Sequence, residues 1–375
     1  AAVSITVSAA IAENDISGTT RAAIQGGTVH SAGKLMLDAD NTSDLTVKGT
    51  AVAVSVGVSG GISIGGAGTG VDIRNSIIGI TEAAIRDDSI VSAMGDILLS
   101  ATDNTVLLSH ATAVAVSLTG AAGGSLSITI ALSSVDNTVN GSTRAIIVDA
   151  HVTSSGGKLR LEALSTGTVT SNSASVSVSG AFAGGVSLTG AGSAAQVLNT
   201  VSATTEATIT GADVADGQDV QAHGDIELDA KDERSLIAET FAGAFALALA
   251  LGGSGGLTVG LSRSVNTAGG TVRSGISNSK VSSTTGKIKA ASLSDSTAAA
   301  TATGIAISVS GSAGFAVALA GAGSEATNHS VVHTESLVTA NSYLDAPGAI
   351  TLSAPDSLLM TSDATAVALA LSVSM

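Results

Sequence analysis

Cysteine and tryptophan are absent, proline occurs twice, and aromatic residues make up 1% of the 375-residue chain. Without cysteine there are no disulfides, no thiolate nucleophile and no cysteine-ligated metal. Without aromatic volume, a core has to be filled by Ala, Val, Ile, Leu, Ser, Thr and Gly, which suits thin layers of closely spaced β-sheet. Charge is scarce as well: 12% of residues carry it, and 30 Asp and Glu outnumber 15 Lys and Arg for a formal net charge of −15. That balance disfavours nucleic acid and anionic membrane as partners. Disorder is a poor reading, since 44% of residues are apolar. No basic n-region precedes an apolar run at the start, so no signal peptide is expected there. Leu164 to Thr205 is free of charge. It alternates with period two and is broken by Gly184-Gly185, which suits strands better than a membrane helix, and no membrane insertion is expected.

What the chain does contain is a repeat. The phrase Gly33-Lys-Leu-Met-Leu-Asp-Ala39 returns as Gly95-Asp-Ile-Leu-Leu-Ser-Ala101, Gly157-Lys-Leu-Arg-Leu-Glu-Ala163 and Gly224-Asp-Ile-Glu-Leu-Asp-Ala230. Looser copies begin at Gly286 and Gly348, and the glycine spacings are 62, 62, 67, 62 and 62. The longer interval is explained by about five extra residues near Ala215 to Asp219. The fold class is therefore all-β, a tandem-repeat β-solenoid of stacked layers with six units of about 62 residues. Residues 1–375 form a single continuous array cut mid-unit at both ends.

Within a unit, the phrase leads to a turn rich in Asp, Asn and Ser, such as Asp40-Asn41 or Asp103-Asn104. A long alternating strand follows, and a Gly-Gly pair such as Gly60-Gly61 or Gly123-Gly124 reverses the chain. A second alternating strand returns to an asparagine, where a shorter, more charged strand begins. On the long strands Val52, Val54, Val56 and Val58 oppose Ala51, Ala53, Ser55 and Gly57. The bulky face is expected to be buried, with the small face exposed or packed on a neighbouring sheet.

Two columns of polar residues mark the units. Asn14, Asn75, Asn137, Asn199, Asn266 and Asn328 hold one place, which suits an amide ladder between stacked copies. Seven residues later stand Arg21, Glu82, Arg144, Glu206, Arg273 and Glu335, alternating in sign without exception. Lys34, Asp96, Lys158, Asp225 and Lys287 alternate almost as well, with Ala349 last. Equivalent strands in successive layers lie about 4.8 Å apart, so alternation turns a repulsive column into a ladder of opposite charges and fixes register. Coils of about 20 residues would separate equivalent charges by roughly 14 Å, so one large coil per unit is favoured, with two smaller coils next. Duplication of a block of about 124 residues would leave the same alternation.

The alternating Ala/Val/Ser strands, the Gly-Gly reversal, the asparagine and Ser89-Ile-Val-Ser-Ala-Met-Gly-Asp-Ile-Leu-Leu-Ser-Ala101 resemble repeats of giant bacterial filamentous adhesins. The leukotoxin-family filamentous adhesins and, more distantly, the filamentous haemagglutinins share this style. The resemblance implies export to the cell surface, a solenoid shaft, and adhesion or biofilm-matrix building, with no catalytic residues.

Candidate chemistry is thin. His30, His110, His151, His223, His329 and His333 occupy different places in their units. Gly57-Val-Ser-Gly-Gly61 matches a nucleophile elbow only in letters, because the strand–elbow–helix context is missing. Asp40, Asp103 and Asp232 are weak calcium candidates, although the calcium β-roll nonapeptide is absent and Asx-turns explain them more simply. The expectation is no enzyme, no catalytic residue and no cofactor beyond that calcium. The favoured function is a shaft segment of a secreted bacterial surface fibre. The alternative is a self-assembling matrix or sheath subunit joined head to tail. A membrane β-barrel with its Val/Leu face toward lipid ranks third, because aromatic girdles are missing. Partners are other copies of the chain, adjoining repeats, or a host or matrix surface.

Overall fold

The computed structural model describes residues 1–212 and 219–375. Every element among them is a strand, and every strand pairing is parallel. One sheet stacks β1 (Ala2–Gln25), β4 (Ile62–Ala93), β6 (Gly124–Ser154), β8 (Val186–Thr210), β11 (Gly253–Ser277) and β14 (Phe315–Thr339) in that order. The facing sheet stacks β3 (Leu35–Ser59), β5 (Ile97–Ala121), β7 (Leu159–Ala183), β10 (Ile226–Ala250) and β13 (Ile288–Ser312), and it ends on β16 (Ile350–Ser353) and β17 (Asp356–Ser374). Short strands β2 (Thr28–Ser31), β9 (Val220–Ala222), β12 (Lys280–Ser283) and β15 (Tyr343–Asp345) stack in line with the final turns of β4 and β6 and make a third, narrow wall.

Equivalent residues of neighbouring layers pair directly, so one coil is one repeat long. Asn137 bonds Asn199 at a separation of 62 residues and Asn199 bonds Asn266 at 67. The offset between β6 and the next layer grows from 62 at Thr210 to 68 at Val220, which places the extra residues between those two positions. Of the insertion expected near 215–219, all but Asp219 lies outside the described residues.

Two expected turns are strand. β3 runs unbroken through Asp40 and Asn41, and β5 through Asp103 and Asn104. The recurring asparagine likewise sits inside the long strands of the other sheet, not at their end. Polar residues that would close Asx-turns in an isolated chain find partners one layer away instead, as Asn41 Nδ2 does on Asp103 Oδ1 at 2.6 Å. In the last coil Pro355, which has no N–H for the ladder, does interrupt the strand between β16 and β17.

The orientation of the faces is the reverse of expectation. Val52, Val54, Val56 and Val58 point to solvent, the least exposed at 53%, whereas Ala51, Ala53 and Ser55 are buried. The reason lies in the coil's cross-section, which tapers. At the phrase end three walls enclose a wide core of Ile97, Leu99, Leu161, Leu228, Ile85, Ile147 and Val152. Toward the Gly-Gly loop only two sheets face each other, and their inner rows are Ala, Ser, Thr and Gly. Some of the hydroxyls there donate straight across to backbone carbonyls of the opposite sheet, as Ser55 does to Ser4 (2.7 Å), Ser127 to Ser117 (3.0 Å) and Ser264 to Thr301 (2.6 Å). Glycine is required where the sheets come closest: a Cβ on Gly260 would lie 2.4 Å from the Ile305 carbonyl oxygen. Bulky side chains do not fit this blade, so they face out.

The wide end turns through a left-handed corner that recurs in every coil. Gly26 (φ 58°), Asp87 (φ 61°), Asp149 (φ 46°), Gly211 (φ 75°), Asn278 (φ 47°) and Ala340 (φ 47°) occupy it. Gly, Asp and Asn are the residues that tolerate that conformation, and Ala340 alone departs from the pattern. Parallel pairing around a filled interior is also a different architecture from the antiparallel outer-membrane barrel. No helix of the described residues is long and apolar enough to cross a membrane.

Candidate functional site

The features that distinguish this chain from a generic stack are its side-chain ladders, and they sit where the wide core narrows into the blade. All six asparagines join one ladder. Asn14 donates to Asn75 (2.8 Å), Asn75 to Asn137 (2.7 Å), Asn137 to Asn199 (3.0 Å), Asn199 to Asn266 (2.9 Å) and Asn266 to Asn328 (2.9 Å), always Nδ2 to Oδ1. Each Nδ2 also has a second hydrogen, and in five layers it crosses to the facing sheet. Asn75 and Asn137 reach Ser109 and Ser171, while Asn199, Asn266 and Asn328 reach the carbonyls of Ile237, Ala299 and Thr361. The column therefore ties layer to layer and sheet to sheet at once. Ser109 and Ser171 escaped sequence reasoning because their column reads Val47, Ser109, Ser171, Ala238 and shows no pattern.

The alternating charges meet in part. Arg21 pairs with Glu82 at 2.9 Å, Arg144 with Glu206 at 3.3 Å, and Arg273 with both Glu206 (3.9 Å) and Glu335 (3.0 Å). Glu82 and Arg144 are in register, yet the buried Glu82 takes Arg86 of its own strand at 2.7 Å, so the ladder breaks there. Arg86 carried no sequence signal, because it lies outside the repeating position. In the second column the aspartate acts mainly on backbone. The amide N–H of Lys158 donates to Asp96 Oδ1 at 2.9 Å and that of Lys287 to Asp225 Oδ1 at 3.0 Å, with the Lys287 ammonium more distant at 3.8 Å.

The calcium candidates do not converge. Asp40 points outward and pairs in register with Thr102. Asp103 and Asp232 share an inward column but are separated by the layer of Ser165. Asp103 accepts from Asn41 and Thr105, and Asp232 is bound by the Arg234 guanidinium, 2.5 Å from Nε. Among the described residues no group of three or more His, Cys, Asp or Glu is placed to hold a metal. Burial pushes the Asp232 carboxyl above the ordinary aspartate range; Arg234 opposes this and Glu233 adds to it. Beside this column Gly79, Gly141 and Ala203 of the facing sheet leave a cavity of about 120 Å³. The histidines stay apart: His30 contacts Ser92, His110 contacts Asn172 and His151 contacts Asp219. Gly57-Val-Ser-Gly-Gly61 leads from one strand into the next, with no helix after it.

The ends of the stack are open sheet edges. Among the described residues β1 pairs with β4 alone and β14 with β11 alone. One end thus presents Asn14 and Arg21, and the other presents Asn328 and Glu335, in the same register. No family model, no curated protein and no solved structure matches the chain.

Proposed function

We infer that the chain is a structural segment of a bacterial surface fibre, a shaft whose role is length and rigidity and not catalysis. The observation that carries this is the complementarity of the two end faces. A further layer on β14 that repeats β1 would set Asn14 against Asn328 and Arg21 against Glu335, continuing both ladders in register. The same junction serves an adjoining repeat of one long chain or a second copy of this one. Parallel edges with unmade hydrogen bonds favour such addition strongly. The style of the repeats, similar to that of filamentous adhesins, supports display outside the cell.

Two measurements separate the readings. Electron microscopy of the purified segment gives its axial length, about 29 Å for six layers. Filaments growing by multiples of that length support a self-assembling subunit, whereas discrete short particles support a shaft within one long chain. Antibody against the segment should label intact, unpermeabilised cells of the source organism. Labelling only after lysis would overturn the surface assignment for both.

A further inference from the structure

The blade half of each coil carries no charge: residues 49–71, 111–135, 163–205, 240–262 and 296–324 lack Asp, Glu, Lys and Arg. Both outer faces of the blade are apolar, but their shapes differ. On the face built by β3, β5, β7, β10, β13 and β17 the column Val54, Val116, Val178, Phe245, Ile307, Leu369 is large in every layer, and the glycines of the columns beside it, Gly120, Gly180, Gly243 and Gly311, follow no two-layer phase. On the opposite face the column reads Val7, Gly68, Ile130, Gly192, Val259, Gly321, large and absent by turns. Its neighbours, Ile5-Gly66-Ile128-Gly190-Leu257-Leu319 and Ala9-Gly70-Leu132-Ala194-Leu261-Gly323, keep the same phase except at Leu319 and Ala9. Nearer the loop, Val3-Ile64-Leu126-Leu188-Gly255-Val317 does not alternate, and Ile62-Gly124-Val186-Gly253-Phe315 alternates in the opposite phase. Across these three columns the result is a set of ridges on β1, β6 and β11 separated by furrows on β4, β8 and, apart from Leu319, β14.

Nothing within the chain calls for these glycines. None of Gly68, Gly70, Gly190, Gly192 and Gly321 has a positive φ, and a Cβ on each would meet nothing closer than 3.9 Å. Glycine weakens a strand and, in a strand interior, often marks close approach of another backbone. A block duplication would have imprinted both faces, yet the two-layer phase is confined to one. Ridges recur every two layers, about 9.6 Å, so a ridge entering a furrow stands about 4.8 Å from each neighbour, the spacing at which side chains already stack.

We propose that this furrowed face pairs with the same face of a second copy, ridge into furrow. A two-fold axis along the strand direction, at mid-height of the six layers, exchanges ridge layers with furrow layers, setting large against large only at Ile5 with Leu319, Val3 with Val317 and Leu126 with Leu188. Ile128 and Ile130 of each copy then lie over Gly190 and Gly192 of the other, with the stacks running in opposite directions. The face spans roughly 26 Å along the strands and 29 Å along the stack, about 750 Å² per partner. That matches the size of a standard stable interface. Lateral pairing is independent of the shaft reading, because it changes the width of particles and end-to-end stacking changes their length.

The test uses sedimentation of the purified chain together with particle widths by electron microscopy. Gly192→Val fills a furrow at a position where a Cβ meets nothing of its own chain closer than 4.0 Å, and Ile130→Lys puts a charge on a ridge. Each should weaken lateral association about 100-fold while leaving the denaturation midpoint unchanged or, for Gly192→Val, raised. Val54→Lys on the smooth face should leave pairing intact. Single-width particles at tens of micromolar wild-type chain, or a Gly192→Val variant that pairs as well as wild type, would overturn the proposal. So would a chain that stays single but binds neutral phosphatidylcholine vesicles in a manner lost in Ile130→Lys, which would assign the face to lipid.

Discussion

Asn137 shows how one side chain can serve two directions. Its Oδ1 accepts from Asn75 and Ser109, and its Nδ2 donates to Asn199 and Ser171, all away from solvent. Asn137→Ala should therefore cost about 2 kcal/mol, since it strands buried partners, whereas Asn14→Ala at the open end should cost less than about 1 kcal/mol. Urea denaturation of the two variants checks this, and equal losses would mean the column contributes no cooperative bracing. Asp232 behaves differently, as a buried charge held at a cost. Its carboxyl titrates higher folded than unfolded. Between its folded pKa and the ordinary aspartate value the folded state binds more protons, so acidification through that window adds stability and rising pH removes it. Replacing it by serine, the residue at Ser165 and Ser294 in the same column, should abolish this contribution. The denaturation midpoint of Asp232→Ser relative to wild type should fall as pH is lowered from neutrality. A pH-independent difference would show that Arg234 fully neutralises the site.

At the scale of the strand, alternation and packing are separate facts. The period of two in Ala51 to Val58 was plain in the sequence, and it does place the two residue sets on opposite faces. Which face is inside was not readable from it, because hydrophobic burial favours valine while the gap between two facing sheets admits only small residues. The hydroxyls of Ser55, Ser127 and Ser264 tip the balance by bonding across that gap. Gly260→Ala should consequently destabilise by about 1–3 kcal/mol through overpacking against the Ile305 carbonyl. Thermal melting would detect this, and a neutral result would mean the sheets can separate freely. The same misjudgement underlies the turns expected at Asp40-Asn41 and at the asparagines. Local preference for Asx-turns is weaker than a partner one layer away, and that partner is invisible to a local window.

Across the whole molecule, each layer touches only its neighbours, so stability should be lowest at the ends and highest in the middle. Backbone amides of β1 and of β16–β17 should exchange hydrogen faster than those of β5 to β8 in dilute solution. Raising the concentration should protect β1 and β14 if copies stack end to end. It should slow exchange at the edges and leave it unaltered in the centre. Uniform exchange along the stack would argue for global unfolding as the only opening route.

By itself the sequence determined the parallel register. A phrase recurring at intervals of 62 and once 67 residues, an asparagine column and a charge column that alternates in sign favoured layers stacked copy on copy over bare block duplication, and the contact range of an ion pair pointed to one coil per repeat. Those are nearest-neighbour properties, and repetition exposes them. Tertiary structure alone decided the taper of the coil, the inward place of serine and alanine, the diversion of Glu82 to Arg86, and the furrows on one outer face. Each of these depends on the distance between two walls, or on residues that adjoin only after the chain has reversed, and no spacing along the chain encodes that distance.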